Sequence, residues 1–340
     1  MKRLIISTLL TAGLICSCEK PQTEGPDESC MIFLAANTSE TKAPFNGTAP
    51  SESQPLDALV CISTDSYSYP SGGNDGTTDG TIGKHLQVQF SSGSRQLING
   101  AYYNKSTPDR TVYFSAMHPQ SGWSFAGNTS VHCTFDGSDD VMFAPQETGK
   151  YGNLNPPTLN FRHLLTWIKM EIKADSEAVA TAWGPLRSIT IGSKNGISID
   201  LGKAFSKDDV VFDNDVDMKF YKISSPEEVF PDATTGYPMT TASSEVAYVL
   251  CAPVIAYEFD PGAAEDEIRI PEYHIRIVSE NRDVTIPIDL MNGEGSYAEA
   301  STMGKQFTLS LTFMMGNTIA VSTNITDWST GGIGFGKIEE

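Results

Sequence analysis

Two cysteines near the start of the chain have the neighbours expected for covalent attachment of a lipid. The first residues read MKRLIISTLLTAGLICSCEK, a basic start followed by an apolar run that is too short to span a bilayer as a helix. Cys18 follows Ser17 and has the aliphatic Ile15 three positions upstream, which resembles a bacterial lipobox, whereas Cys16 directly follows the bulky Ile15. We therefore predict a lipoprotein signal peptide at residues 1–17 and a lipidated N-terminus at Cys18. Simple secretion with a free thiol is the alternative.

A lysine–alanine pair further along is a candidate site for proteolysis. Lys42 and Ala43 lie in SETKAPFNG, a few residues after the apolar stretch SCMIFLAA. Exposed polar segments are the preferred sites of proteolytic cleavage. The pair is therefore either a bend in a surface loop or a processing site that separates the preceding strand from the rest. Residues 18–29 are rich in Pro, Gly and Glu, which predicts a flexible tether.

Common catalytic and metal-binding motifs are missing from the sequence. It contains no G-x-S-x-G nucleophile elbow and no H-E-x-x-H pair. The segment DNDVDMKF, residues 213–220, presents alternate acids but lacks the glycine and glutamate of a calcium loop, so we predict a solvated acidic loop. We interpret His163 as a core or inter-domain histidine bonded to the backbone. The prediction is that the protein is not an enzyme and has no cofactor or metal site.

The charge balance argues against one class of partner. The chain has 42 acidic and 23 basic residues, a formal net charge of −19 at pH 7. Removal of residues 1–17 takes away Lys2 and Arg3 and no acid, so the balance falls to −21. A surface this negative repels phosphate backbones. We predict that the protein has no nucleic-acid partner.

Four further cysteines lie far apart along the chain, with no C-x-x-C pair: Cys30, Cys61, Cys133 and Cys251. This spacing argues against a zinc site. Export permits disulfides, which remain the alternative. However, Cys61 in LVCIS and Cys251 in VLCAP lie in apolar runs typical of strands, where cysteine commonly acts as a small core residue. We predict free, buried thiols at these two positions.

The elements that would carry these residues are short strands. Alternation of apolar and polar residues is clear in KHLQVQF, RTVYFSAMH, EVAYVLCAPV and KQFTLSLTFMM. Turn signals separate such runs: Asn195-Gly196 predicts a two-residue hairpin between SITI and ISIDL, and MGNT and ENRD lie between strands in the same way. The best helix candidate is SEAVATAW, residues 176–183. The Gly- and Asp-rich residues 71–83 predict an exposed loop.

Length and pattern together predict two β-sandwiches. A chain of 340 residues exceeds the size of most single cores, and many short strands with frequent turns are typical of antiparallel sandwiches. We predict an N-terminal domain at 30–174 and a C-terminal domain at 175–340. In LNFRHLLTWIKMEIK the alternation changes parity between Trp167 and Ile168. Such a change predicts a β-bulge or a strand that passes between two sheets.

Three phrases follow the lipobox, SCMIFLAA and TKAPF in a fixed order. They are D-(V/L)-M-(F/Y)-A at Asp140 to Ala144, F-x-H-x-L at Phe161 to Leu165, and I-x-x-W-x-x-G at Ile325, Trp328 and Gly331. The set resembles the fimbrillin family of Bacteroidales, the lipoprotein pilins and their accessory subunits. This resemblance implies two transthyretin-like antiparallel β-sandwich domains, a lipid anchor in the outer membrane, and cleavage at Lys42-Ala43 by a trypsin-like surface protease.

The resemblance also implies a mode of assembly. Loss of the first strand opens a groove, which a C-terminal segment of another fimbrial subunit fills by donor-strand insertion. The expected partners are other fimbrial subunits, the outer membrane, and ligands on host or bacterial surfaces. The tail STGGIGFGKIEE is glycine-rich with few large side chains and makes a poor donor strand, which favours an accessory or tip subunit.

Two other functions remain open on the sequence alone. The first is a surface glycan-binding lipoprotein, in which exposed aromatic side chains at Tyr67, Tyr69, Tyr102 and Tyr103 stack on sugar rings. The second is a hydrolase, because a pair of acids for glycoside cleavage leaves no local signature.

Overall fold

The structure, a computed structural model, describes residues 30–38, 50–52, 55–69, 84–153, 155–223, 227–230, 235–253, 272–289 and 303–327. Within these ranges the regular secondary structure is almost entirely β-strand, with a short helix, α1, at Glu177–Trp183 and a 3₁₀ turn at Lys207–Asp209. The predicted all-β sandwich class is confirmed. The predicted domain limits, 30–174 and 175–340, stay a prediction.

The strands before α1 are β1 (Met31–Thr38), β2 (Leu56–Ser63), β3 (Lys84–Phe90), β4 (Gln96–Tyr102), β5 (Val112–His118), β6 (Ser124–Ala126), β7 (Ser130–Thr134), β8 (Met142–Gly149), β9 (Thr158–His163) and β10 (Thr166–Ala174). Those after α1 are β11 (Leu186–Asp200), β12 (Val210–Lys219), β13 (Ser244–Cys251), β14 (Glu272–Ser279), β15 (Asp283–Asp289), β16 (Lys305–Phe313) and β17 (Ile319–Asp327). The four alternating runs named above form β3, β5, β13 and β16, as predicted.

A seven-stranded sheet contains the first described strand. Its order is β3-β2-β5-β8-β9-β1-β4, and every neighbouring pair is antiparallel except β1 and β9, which are parallel. The consecutive strands β3 and β4 lie at opposite ends of this order although only five residues, 91–95, connect them. The sheet must therefore curl until its two ends approach. The Gln96 side-chain amide donates to the Gln89 carbonyl oxygen, at 2.5 Å, across this closure.

One hydrophobic cluster fills the inside of the curled sheet. Every strand of the sheet contributes to it, through residues that include Leu34, Val60, Phe90, Ile98, Phe114, Ala144 and Phe161. The rings of Phe90 and Phe161 meet edge to face, with their centroids 6.4 Å apart. Burial of alternate side chains along these strands is the main stabilising contribution.

Two further sheets share a second hydrophobic cluster. The first has the order β13-β10-β16-β17, and the second has the order β15-β14-β11-β7-β6 with β12 also paired to β11. Phe307 and Leu309 of β16, Ile191 of β11 and Ile277 of β14 are buried in this cluster. The two sheets therefore pack face to face as a sandwich.

The chain crosses between sheets just before the predicted change of parity at Trp167 and Ile168, both of which lie in β10. β9 belongs to the seven-stranded sheet and β10 to the four-stranded sheet, and only Leu164 and Leu165 separate them. Both leucines are fully buried, and the Leu164 amide donates to the Val141 carbonyl oxygen at 2.9 Å. A continuous apolar run with one break thus supplies both cores.

The predicted hairpin at Asn195-Gly196 is wrong. β11 runs without interruption through both residues, because β7 and β12 supply ladder partners on its two sides. Gly196 faces Thr134 on one side and Asp213 on the other. A Cβ there would meet the Asp213 carboxylate and the His132 ring, so the glycine leaves room for these two side chains and does not form a turn. The two shorter turns, after β14 and after β16, are as predicted.

The helix prediction is confirmed. α1 begins after Ser176, whose hydroxyl accepts a hydrogen bond from the Val179 amide at 3.3 Å. It ends at Trp183, is followed by the capping residue Gly184 with φ of 73°, and buries Val179 and Trp183. The Trp183 indole donates to the Met314 carbonyl oxygen at 2.9 Å, which fastens the helix to the turn between β16 and β17.

Candidate functional site

The acidic segment 213–220 lies mostly in a strand, so the predicted loop is wrong. Its residues belong to β12 up to Lys219, and the apolar positions Val210 and Met218 of that strand are buried. The acids at 213, 215 and 217 share one exposed face, as period-two alternation requires. Among the described residues, no group of three or more His, Cys, Asp and Glu side chains could hold a metal ion.

His163 is buried, as predicted, but its ring bonds a carboxylate. Its Nδ1 contacts Asp140 Oδ2, and both side chains are almost completely enclosed. The predicted backbone bond at this ring nitrogen is therefore wrong. A histidine inside an apolar run needs a polar partner. In the sequence, the available signal for this partner was Asp140, the first residue of the phrase DVMFA, because it also stands beside an apolar run.

The tyrosines considered for sugar binding divide between core and surface. Tyr69 and Tyr103 are buried, with 1% and 7% of their surface exposed. Tyr102 is 41% exposed at the end of β4, and Tyr67 is half-buried. An aromatic platform made of all four rings is therefore not present. Burial raises the pKa of Tyr103 to about 12, since the ionised phenolate would be poorly solvated.

The four described cysteines are free, and the two predicted to be buried are enclosed. Cys61 lies in β2 and Cys251 in β13, both with no exposed surface. Burial raises the pKa of both thiols and raises that of Cys133 to about 12. Such thiols are poor nucleophiles because the thiolate is disfavoured.

Several predicted positions lie outside the described residues. These are the signal peptide 1–17, the lipidation site Cys18, the tether 18–29, the pair Lys42 and Ala43, the loop 71–83, and Trp328 and Gly331 of the last phrase. The strand that should precede the processing site is described, and it is β1.

β1 is an internal strand whose two halves have different partners. Met31 to Leu34 pair with β4 in antiparallel fashion, whereas Ala35 to Thr38 pair with β9 in parallel. Among the described strands, β4 has β1 as its ladder partner. β1 therefore joins β4 to the rest of the sheet.

The inward side chains of β1 change in size along the strand. Ile32 and Leu34 come first, then Ala36 and Thr38, and all four are essentially buried. Ala36 lies beside Leu159 in the ladder, and Thr38 lies beside Phe161. The large side chains of β9 occupy the space that small β1 residues leave.

β4 provides the room for the large residues of β1. Its pairing with β1 is irregular, because Met31 faces Tyr102 whereas Phe33 faces Leu97, so the intervening β4 residues bulge. Gly100, with φ of 82°, lies in this bulge. Ile98 and Ala101 within it are buried in the same cluster as Ile32.

Backbone hydrogen bonds before its start and at its middle, together with a contact on its outer face, hold β1 in place. The Tyr103 amide donates to the Cys30 carbonyl oxygen at 2.7 Å, and the Ala35 amide donates to the Pro157 carbonyl oxygen at 3.0 Å. On the outer face the Arg95 guanidinium lies over the Phe33 ring, 3.6 Å from its centroid. The contacts that hold β1 are thus pairing, packing and one cation–π interaction.

We define the β1 slot as the space between β9 and β4 that β1 occupies. The strand was predictable from the sequence but its neighbours were not, since a parallel partner about 120 residues away leaves no local signal. Apolar side chains and paired backbone groups line the slot. It can hold an extended segment of defined direction, parallel to β9 and antiparallel to β4.

Comparison with known proteins gives likenesses of structure only. The sequence matches no family model and no curated protein. A candidate cell adhesion protein from Bacteroides uniformis is 13% identical, with a TM-score of 0.49, and the match covers 88% of this chain and 99% of that one. The fimbrial anchor protein Mfa2 from Porphyromonas gingivalis is 12% identical, with a TM-score of 0.39 and the same coverage. Values this low assign neither a family nor a function.

Proposed function

We propose that the protein is a structural subunit of a cell-surface fimbria, an accessory or tip pilin that assembles by strand exchange and supports adhesion. One observation carries this proposal. β1 is an internal strand, its inward side chains are buried, and Lys42-Ala43 follows its last residue, Thr38, by only four positions in the sequence. One hydrolysed peptide bond after Lys42 would leave β1 attached by non-covalent contacts alone.

The physical basis is the instability of an open slot. If β1 left, the backbone groups of β4 and β9 that pair with it would lose their partners, and the apolar cluster would be exposed to water. Each unsatisfied buried backbone group costs about 1–3 kcal/mol. Another extended segment that fills the slot recovers that free energy, which makes strand addition favourable.

The remaining parts of the proposal follow from the sequence. A lipid on Cys18 would anchor the precursor to the outer membrane through the tether 18–29. In the described part of the chain, no helix has the length and apolarity to cross a membrane. The proposed partners are other fimbrial subunits and surface ligands. The strongly negative net charge argues against a nucleic-acid partner. We also propose that the protein is not an enzyme.

Limited proteolysis tests the proposal. The purified precursor is treated with trypsin, alone and mixed with candidate fimbrial subunits from the same cells, and is run unboiled on a denaturing gel. We expect ladders that contain this protein, and N-terminal sequencing should find Ala43 in them. The matched control is Lys42→Ala, which should remain monomeric. Monomers in every mixture, despite a new N-terminus at Ala43, would rule out strand exchange.

The N-terminus of the protein taken from the cell surface gives an independent measurement. A lipidated Cys18 at the start of every molecule would indicate an anchored, uncut subunit. A start at Ala43 would indicate processing. A start at another residue would contradict both processing steps.

A further inference from the structure

The β1 slot is shaped for one order of side-chain sizes, and this inference rests on the proposed strand exchange. We infer that the slot selects, from another subunit, an extended segment with two large aliphatic inward residues followed by two small ones. Alternate residues of a strand point to the same face, so the pattern reads large-x-large-x-small-x-small in the direction of β1. The end that accepts large residues and the end that accepts small residues are therefore not interchangeable.

The narrow end of the slot lies against β9. There the neighbours of Ala36 and Thr38 are Leu159 and Phe161, both with no exposed surface. Phe161 is fixed from the far side by Phe90, whose ring it meets edge to face. A large inward residue at either small position would have to displace side chains that are packed on all sides.

The wide end lies against the bulge of β4. Ile32 and Leu34 have no exposed surface, and small residues in their places would leave cavities in the first hydrophobic cluster. The outer face adds a weaker preference for an aromatic residue at the position of Phe33, where it would lie under Arg95.

The tail of this chain does not match the pattern. In STGGIGFGKIEE the two large alternate residues Ile333 and Phe335 are followed at the next two alternate positions by Lys337 and Glu339. Burial of these charges at the narrow end would be costly. The tail of a second copy is therefore excluded as the occupant, and we infer a segment of a different subunit. Of these two segments of this chain, β1 has the pattern and the tail does not.

Peptide exchange on the intact, nicked protein tests the inference. A recognition sequence for a site-specific protease replaces residues 39–42, so that one cut leaves β1 in place but free to leave. Synthetic peptides then compete with β1, and release of the cleaved N-terminal segment that carries β1 is followed by mass spectrometry under native conditions. The reference peptide carries the sequence of β1, MIFLAANT, from Met31 to Thr38.

Three altered peptides separate order from composition. The first has Ala36→Leu, which we expect to bind about tenfold to a hundredfold more weakly because of overpacking. The second has Ile32→Ala, which should weaken binding at least about tenfold through the cavity it leaves. The third has the four inward residues in reverse order, with unchanged composition, and should bind far more weakly than the reference. Asn37→Ser, at an exposed position, is the control and should bind like the reference.

The outcomes distinguish this inference from the proposed function. If no peptide, the reference included, releases β1, strand exchange itself is wrong. If the reference exchanges and the reversed peptide exchanges equally well, the slot has no size order and the inference is overturned. A peptide of the tail, residues 329–340, should not release β1, and release at the reference level would also overturn it.

Discussion

The carboxylate of Asp140 and the imidazole of His163 form a buried contact that joins the residues before β8 to the last residue of β9. These two residues belong to the two internal phrases that carry the family resemblance. Met142 and His163 are also ladder partners, and the amide of Leu164 bonds to Val141. The two phrases therefore meet at one structural joint, placed where the chain leaves the seven-stranded sheet for the four-stranded sheet.

Replacement of the Asp140 carboxyl group by an amide should destabilise this joint. We expect Asp140→Asn to lower the free energy of unfolding by about 3 kcal/mol, because it leaves a buried histidine facing an amide in place of a carboxylate. Urea denaturation followed by tryptophan fluorescence measures the change. The matched control is Asp139→Asn, which should change stability little. The Asp139 side chain is exposed, although partial loss of solvation is the main cause that raises its pKa. Equal effects of the two substitutions would contradict the role of the pair.

Two glycines with positive φ separate backbone strain from crowding. Gly137 has φ of 94°, and a Cβ there would lie 2.9 Å from both Met218 Cε and Val249 Cγ2. Gly100 has φ of 82° with open space around it. We expect Gly100→Ala to cost about 1 kcal/mol and Gly137→Ala about 2–4 kcal/mol, as thermal unfolding would show. If the two substitutions lower the stability equally, the contacts around Gly137 are too loose to exclude a Cβ.

The stacked ring of His85 should make stability depend on pH. It lies on β3 against Phe125 of β6, with ring centroids 4.0 Å apart. Burial lowers the pKa of His85 below 6.5, its ordinary value. Between the two pKa values the unfolded chain binds more protons than the folded one, so the contribution of this group is present above about pH 6.5 and is lost as pH falls below it.

The test is the difference in unfolding free energy between wild type and His85→Gln, measured from about pH 8 to about pH 5. The wild type should lose more stability than the variant on acidification. Only the wild type has an imidazole at this position, and this imidazole binds a proton more readily in the unfolded chain than in the folded one. Gln87→Ala, on the same strand at an exposed position, should follow the wild-type slope. A steeper slope in His85→Gln than in the wild type would reverse the sign and contradict the burial argument.

Local features of the fold were predictable from the sequence. Ser176 caps α1, the alternating runs form β3 and β16, and the break in alternation near Trp167 marks the crossing between sheets. Each of these features depends on residues that lie close to one another in the sequence. A pattern of side chains in a short segment determines such features directly.

Features that depend on distant partners were not predictable. Asn195-Gly196 has the composition of a hairpin turn, but β7 and β12 stabilise the extended form from both sides. The acids of β12 read as a loop because their strand is recognisable only beside β11. The contact of His163 with Asp140 and the place of β1 beside β9 likewise come from sequence-distant pairing, which composition and spacing do not encode.

The pairing of β1 with β9 also bears on the order in which the strands can pair. The two strands are about 120 residues apart, so β1 is synthesised long before its partner exists. Closing so long a loop is entropically slow, and contacts of this separation form late. β1 is thus the earliest described strand to be synthesised and among the latest to be placed. During folding, the chain therefore passes through a state in which the β1 slot is empty. An incoming strand from another subunit would bind to the same state.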